Sequence, residues 1–249
     1  MSRVVLASAS PIRAELLKRA GVAFEVEVAR IDEGEIRDGL KADGATAEEA
    51  AEVLAEAKAM RVTRRRPDDL VIGADQILDL DGDWLEKPGT LENAQGQLAQ
   101  LSGRTHRLVS AVVVVLGGVR AWAHVDAAHL SMRVLDAPAI EAYLAEAGPQ
   151  ALGCVGSYQI EGIGVRLFER VEGDHFTILG LPLLPLVNFL RLHGRAAEAG
   201  LWLTFVHTKI HHETWLAGFP DSIGTKPTVK SVGSTGSRPR RSRSCFRGR

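Results

Sequence analysis

The chain has 249 residues and a formal net charge of −1, with 45% hydrophobic and 24% charged residues. This composition is ordinary for a folded protein, and the length is enough to bury one sizeable core or two small ones. Two cysteines, Cys154 and Cys245, are too few for a disulfide framework and lack metal-site spacing. Because the sequence has no signal-peptide pattern and no apolar stretch of 18 residues, we predict a cytoplasmic protein that does not contact membranes.

Charge is distributed unevenly along the chain. Residues 195–249 hold 10 Lys/Arg and 3 Asp/Glu, which leaves 20 basic and 28 acidic residues in 1–194. From residue 221 onward the sequence is rich in Gly, Ser, Pro, Thr and Arg, a composition typical of disorder. We therefore predict a folded domain over 1–194 and a basic, disordered extension over 195–249. A nucleic-acid-binding protein acting through this extension is an alternative, but the acidic body predicts only weak contact.

The first half of the chain alternates between strand and helix signals. Val4, Val5 and Leu6 predict a buried strand, and Ser10-Pro11 predicts a helix that runs to about Ala20. Residues 24–31 alternate and predict a strand, whereas 32–39 (DEGEIRDG) predict a loop. Thr46 and Glu49 form a capping box that opens a long helix. The apolar face of that helix is predicted to include Val53, with Lys58 near its edge.

The second half contains the strongest strand signals. Residues 70–78 predict a core strand interrupted at Gly73-Ala74-Asp75, and a helix follows from about Thr90. Residues 107–116 predict a second core strand, a turn at 117–118 and a return strand to about Arg133. A helix capped by Asp136, a glycine-rich loop running into a strand, and a final helix over 182–194 complete the prediction.

The turn between the first strand and the first helix is a candidate anion site. Ser8 and Ser10 supply hydroxyl groups, and Arg13 supplies a guanidinium on the first turn of the helix. Backbone amides and the dipole at a helix N-terminus favour negative charge. The alternative is an ordinary helix start with a serine cap and a proline.

Two carboxylates are candidates for metal or acid–base chemistry. Asp75 is predicted at the end of a buried strand, where a carboxylate is costly unless it binds something. It could hold Mg²⁺ or act as a base on water, or it could simply cap the following turn. Glu33 would complete a carboxylate pair if the fold brings it beside Asp75, but acidic residues in loops are usually solvated.

Three further charged residues are candidates for substrate binding. Lys58 and Lys87, together with Arg13, would neutralise a polyphosphate, although each lysine alone is most often a surface charge. Glu161 precedes Gly162, and a carboxylate in this setting can accept two N–H bonds from the edge of a guanine base. The alternative for Glu161 is an ordinary turn residue.

Taken in order, these segments resemble the Maf family of nucleoside triphosphate pyrophosphatases. The segments that carry the resemblance span residues 4–190: LASASPIRAELL, the DE of ARIDEGE, LAEAKA, VIGADQIL, LEKPGT, LSGRTH, GSYQIEGIGVRLFE and GLPLLPL. The resemblance implies an α/β fold, a Maf/ITPase-like mixed sheet with helices on both faces and two lobes around a nucleotide cleft. It implies hydrolysis of a nucleoside triphosphate to the monophosphate and pyrophosphate with a divalent cation, Mg²⁺ or alternatively Mn²⁺. A homodimer is compatible with it.

The resemblance also implies roles for individual residues. Asp75 corresponds to the proposed general base and metal ligand, and Glu33 to the second acid of the metal site. The phosphate-binding positions are Ser8, Ser10, Arg13, Lys58 and Lys87.

Three positions bear on the choice of substrate. Gln76 and Glu161 agree with the family branch that resembles 7-methyl-GTP pyrophosphatase. Ile12 departs from the residues usual in that branch and in the branch acting on dTTP and UTP, so it is a candidate specificity residue. A broad house-cleaning pyrophosphatase acting on dTTP, UTP and CTP is the alternative.

Overall fold

A computed structural model describes residues 3–193 of the chain, so the prediction for the extension over 195–249 lies outside the described residues. The strands are β1 (Val4–Leu6), β2 (Glu25–Val26), β3 (Leu70–Leu80), β4 (Asp83–Leu85), β5 (Thr105–Leu116), β6 (Val119–Met132) and β7 (Phe168–Glu172). The helices are α1 (Pro11–Arg19), α2 (Glu33–Ala42), α3 (Ala47–Thr63), α4 (Leu91–Leu101), α5 (Ala137–Ala147), α6 (His175–Ile178) and α7 (Leu183–Leu192). Three 3₁₀ turns, Gly148–Gly153, Val155–Ser157 and Ile163–Leu167, connect α5 to β7. Within residues 3–193, no helix has both the length and the apolarity needed to cross a membrane.

The strands form one mixed sheet in the order β2-β1-β3-β5-β6-β7, with β4 attached to β3. Strand β1 is parallel to β2 and β3, and the other pairs are antiparallel. One edge of β3 pairs continuously with β5. Its other edge pairs with β1 at 70–72 and with β4 at 78–80. Residues 73–77 therefore have no strand partner on that edge, which leaves a gap in the sheet.

Helices cover both faces of the sheet. Helix α3 packs on one face. On the other face, α1 and α7 cover one apolar cluster, and α4 and α5 cover a second. In β3, Ile72 and Ala74 belong to the first cluster and Leu78 and Leu80 to the second, with Gln76 between them. The predicted mixed sheet with helices on both faces is confirmed.

The segment 32–39 is helical, so the loop prediction was wrong. Asp32 caps helix α2 by accepting a hydrogen bond from the Glu35 amide at 3.0 Å. Acidic residues are favourable at this end of a helix. Ile36 and Leu40, four residues apart, pack against the α3 face of the core. Tertiary packing of these two side chains outweighs the low helix propensity of the glycines in the segment.

Two other sequence predictions need correction. The strand predicted over 24–31 is limited to β2, because β1 is only three residues long and offers partners to just two residues. On α3, Val53 is 42% exposed, whereas Lys58 is 6% exposed and lies within the buried stripe. The small alanines of α3 allow the helix to lie close to the sheet, so the buried stripe is centred on them and includes the lysine.

Candidate active site

A cleft of about 790 Å³ opens beside the gap in the edge of β3. All of the residues predicted from the sequence as catalytic, metal-binding, phosphate-binding or specificity residues line this cleft: Ser8, Ser10, Ile12, Arg13, Glu33, Lys58, Asp75, Gln76, Lys87 and Glu161. These residues come from widely separated parts of the chain. The fold therefore brings all of the predicted site residues to one place, while their individual roles stay predictions.

A carboxylate–lysine–carboxylate arrangement forms one wall of the cleft. The Lys58 ammonium donates to Oδ1 of Asp75 at 2.6 Å and to Oε2 of Glu33 at 2.8 Å. Lys58 and Asp75 are 6% and 5% exposed. The second oxygen of Asp75, Oδ2, is buried and has no hydrogen-bond partner among the described residues. A buried anionic oxygen without a partner is costly, which indicates a place for a ligand.

Asp75 lies in the middle of β3 and not at the end of a strand, which corrects the sequence prediction. The pairing of β3 with β5 continues through Asp75 as far as Asp79. The sequence predicted an interruption of this strand at Gly73-Ala74-Asp75. Gly73, two residues before Asp75 on the same face, is a glycine because of close packing and not because the strand ends. A Cβ at Gly73 would collide with the Ala55 carbonyl oxygen and lie 2.9 Å from the Ala59 amide nitrogen. The glycine thus allows α3 to approach β3 closely enough for Lys58 to reach Asp75.

The turn after β1 is organised around the Ser8 hydroxyl. Ser8 Oγ accepts hydrogen bonds from the Ser10 amide and from Nη1 of Arg13, both at 3.2 Å. Ser10 precedes the first residue of α1, as predicted, but its side chain does not cap the helix. Since Ser8 Oγ already accepts twice, its own proton is available to donate to an anion in the cleft.

Arg13 is more deeply placed than a surface phosphate ligand. Nε donates to the Gly180 carbonyl oxygen at 2.8 Å, and Nη1 donates to the Ala74 carbonyl oxygen at 2.8 Å. Burial lowers the pKa of Arg13, while the charges of Asp75 and Glu33 act in the opposite direction. An arginine remains protonated in proteins, so a fixed positive charge lies beside the carboxylates.

The Gln76 side chain is held by the fold. Its amide nitrogen lies 3.0 Å from Ser110 Oγ, 3.1 Å from the Thr177 carbonyl oxygen and 2.9 Å from the Ile178 carbonyl oxygen. Because the amide nitrogen is used in these contacts, any selective contact with a ligand falls to Oε1, which can only accept.

Comparison with known proteins identifies the group to which this arrangement belongs. The family described as "Maf-like protein" matches residues 3–193. The chain belongs to the Maf family. A relative from Paramagnetospirillum magneticum, named nucleoside triphosphate pyrophosphatase, is 50% identical over 190 residues, which is 76% of this chain and 98% of the relative. A relative from Brucella suis biovar 1, named 7-methyl-GTP pyrophosphatase, is 50% identical over 189 residues, 76% of this chain and 95% of that protein.

The cleft of this Maf chain also contains residues that the sequence analysis missed. Arg37 lines it and forms an ion pair with Glu86. A helical reading of 33–42 would have found Arg37, because residues four apart lie on the same face of a helix and Glu33 is the residue one turn earlier.

Tyr158 was also missed, although it lies within the segment SYQIEG. Tyr158 lines the cleft, and its hydroxyl oxygen lies 2.6 Å from Nε2 of His106. Burial lowers the pKa of His106 to about 4, so the imidazole is neutral at pH 7. Burial also raises the pKa of Tyr158. Both groups are therefore neutral at pH 7, and of the two Tyr158 lines the cleft.

A second cavity, of about 920 Å³, lies on the α3 face of the Maf domain. None of the predicted site residues lines it. Its arginine, Arg107, is already paired with Asp79 and Glu48. The residues that the sequence predicted to carry out the chemistry line the cleft and not this cavity.

Proposed function

We propose that the chain hydrolyses a nucleoside triphosphate to the monophosphate and pyrophosphate. The observation that carries this proposal is the buried Asp75 carboxylate with its unpartnered Oδ2, set between Lys58 and Arg13 in a cleft. Relatives that are about half identical over nearly their whole length are named nucleoside triphosphate pyrophosphatases. An anionic acceptor surrounded by cationic donors suits a reaction in which water attacks a phosphate.

A divalent cation, with Mg²⁺ as the first choice, fits the residues of the cleft. The unpartnered Oδ2 of Asp75 is a hard oxygen ligand. Glu33 accepts a hydrogen bond from Lys58, the same lysine that donates to Asp75. Residues 3–193 contain no group of three or more His, Cys, Asp or Glu side chains that could hold a metal. A site of two carboxylates completed by phosphate oxygens and water is the usual arrangement for Mg²⁺. The cation would withdraw charge from the phosphate oxygens.

A hydroxyl group and two cationic groups of the chain would hold the triphosphate. Ser8 donates its hydroxyl proton, Lys87 supplies an ammonium, and Arg13 retains Nη2 beyond the bonds made by Nε and Nη1. Ser8 and Arg13 are held by hydrogen bonds before substrate arrives, so they can stabilise the charge that develops in the transition state. Losing one such donor in an enzyme typically costs about 10²–10³ in turnover.

Asp75 is assigned as the base that orients and deprotonates the attacking water. Attack on the α-phosphorus would release pyrophosphate. Replacing Asp75 with Asn preserves shape and removes the negative charge, so turnover should fall by about 10²–10⁴. A steady-state assay of released pyrophosphate measures this, and near-wild-type turnover in Asp75→Asn would rule out the assignment.

For the substrate, we propose a purine triphosphate with a cationic base, such as 7-methyl-GTP. Several relatives carry the name 7-methyl-GTP pyrophosphatase. Glu161 lines the same cleft, together with Tyr158 and Ile178. Methylation at N7 makes guanine cationic, and a carboxylate gains Coulombic attraction to such a base in addition to hydrogen bonds.

Two experiments test the proposal. A substrate panel of 7-methyl-GTP, GTP, dTTP, UTP and CTP with Mg²⁺ should give pyrophosphate, and orthophosphate as the first product would overturn the reaction class. Glu161→Gln should lower kcat/KM for 7-methyl-GTP about tenfold or more relative to GTP, a charge effect of at least ~1.4 kcal/mol. An unchanged ratio would favour the broad activity on dTTP, UTP and CTP that the sequence left as the alternative.

A further inference from the structure

Lys58 occupies the point at which the two acids of the cleft converge. Its Nζ lies 2.6 Å from Asp75 Oδ1 and 2.8 Å from Glu33 Oε2, so one ammonium serves both carboxylates. The stem of Lys58 is buried in the stripe of α3 that packs on the sheet. The lysine therefore already supplies the positive charge that a metal ion would supply between the same two acids.

The local charge balance opposes the entry of a bare divalent cation. Lys58 and Arg13 contribute two positive charges, and Asp75 and Glu33 contribute two negative ones. A divalent cation arriving alone would add two further positive charges beside two cations that are largely shielded from water. Like charges repel strongly where water cannot screen them.

A triphosphate changes this balance. A metal–triphosphate complex carries net negative charge, and its phosphate oxygens offer a new partner for the lysine. The ammonium stands on a flexible four-carbon stem with three donors, so it can exchange partners while α3 stays in place.

We propose that Lys58 is a resident counterion, which holds Asp75 and Glu33 in the nucleotide-free chain and releases them to a divalent cation that arrives with the triphosphate. This inference rests on the proposed function, in which Asp75 and Glu33 hold the divalent cation of a triphosphate substrate. Two consequences follow. The chain binds the metal weakly in the absence of nucleotide, and metal and nucleotide each raise the affinity for the other by the same factor.

Binding of Mn²⁺, followed by electron paramagnetic resonance of the free ion, tests the proposal without any turnover. The proteins are wild type, Lys58→Met and the matched control Lys41→Met, which removes an exposed lysine near Asp83, outside the cleft. Each is measured with and without an α,β-methylene nucleoside triphosphate, whose binding is checked by calorimetry. Wild type and Lys41→Met should bind Mn²⁺ at least about tenfold more tightly with the analogue. Lys58→Met alone should bind Mn²⁺ at least about tenfold more tightly than wild type alone, a change of ~1.4 kcal/mol.

A stability measurement gives a second readout. Removing the ammonium leaves two carboxylates without their counterion, so Lys58→Met should melt at a lower temperature in a chelator and gain more from added Mn²⁺ than wild type does. If Lys58→Met does not fold, the wild-type pair of measurements decides: equal Mn²⁺ affinity with and without bound analogue overturns the proposal.

The outcomes separate this inference from the proposed function. Hydrolysis by wild type combined with unchanged Mn²⁺ affinity in Lys58→Met overturns the counterion role and leaves the activity standing. Tighter Mn²⁺ binding in Lys58→Met, with no hydrolysis of any triphosphate by wild type, supports the counterion and overturns the activity.

Discussion

Replacing Gly73 with alanine tests whether the close contact between α3 and β3 is needed to place Lys58 against Asp75. The added Cβ would collide with the Ala55 carbonyl oxygen and lie 2.9 Å from the Ala59 amide nitrogen. Both obstacles are backbone atoms, so no side chain can turn aside. Helix α3 must withdraw by more than about 1 Å to clear the Ala55 oxygen at an ordinary contact distance.

That displacement should reduce both stability and activity. Inserting a methyl into a packed core costs about 1–3 kcal/mol of the free energy of unfolding. Lys58 lies on the displaced helix, so its ammonium would be drawn away from Asp75. A shift of about 1 Å in a reacting group can lower turnover by about 10²-fold. We therefore expect Gly73→Ala to lose both quantities.

Urea unfolding and a pyrophosphate-release assay at a temperature where both proteins are folded measure these effects. Gly96→Ala is a matched control, since Gly96 is an exposed glycine within α4 and an added Cβ would meet nothing within 4 Å. The control should gain about 0.5–1 kcal/mol, because alanine is a better helix former. If Gly73→Ala unfolds within about 0.5 kcal/mol of wild type and turns over normally, the close approach does not build the site.

Three further predictions concern other groups of the domain. His106 is buried, with its pKa lowered to about 4 from 6.5. As the pH falls, the unfolded chain takes up a proton on His106 before the folded chain does. The free energy of unfolding should therefore decline by up to about 3 kcal/mol between pH 6.5 and pH 4. Urea unfolding across this range should show a smaller decline for His106→Phe than for wild type. Arg13→Lys removes a guanidinium that donates hydrogen bonds to Gly180, Ser8 and Ala74. The melting temperature and kcat/KM should both fall, and kcat/KM should fall by about 10²-fold. If both stay at the wild-type values, the guanidinium of Arg13 does not position the site. Treatment with a chelator should abolish pyrophosphate release, and Mg²⁺ should restore it, whereas full activity in the chelator would exclude a divalent cation.

Local signals in the sequence were enough for much of the fold. The capping box of Thr46 and Glu49 is present as predicted, because both partners lie within one helical turn. The turn predicted at Gly117 and Gly118 joins β5 to β6, and both glycines have positive φ angles. In each case the residues that determine the structure are neighbours in the chain.

The tertiary structure decided features whose causes lie far apart in the sequence. Segment 32–39 is helical because Ile36 and Leu40 find a core surface supplied largely by α3 and the sheet. The strand predicted over 24–31 is limited to Glu25–Val26 because β1 is too short to pair with most of that segment.

The candidate site shows the same division. The sequence by itself, through its resemblance to the Maf family, predicted which side chains carry the proposed chemistry. Only the tertiary structure decided that Lys58 is buried and bonded to both Asp75 and Glu33, because that contact depends on a gap in the sheet edge and on the close approach at Gly73. Residue types and short spacings record which groups are available, whereas burial and pairing depend on segments that meet only in the folded chain.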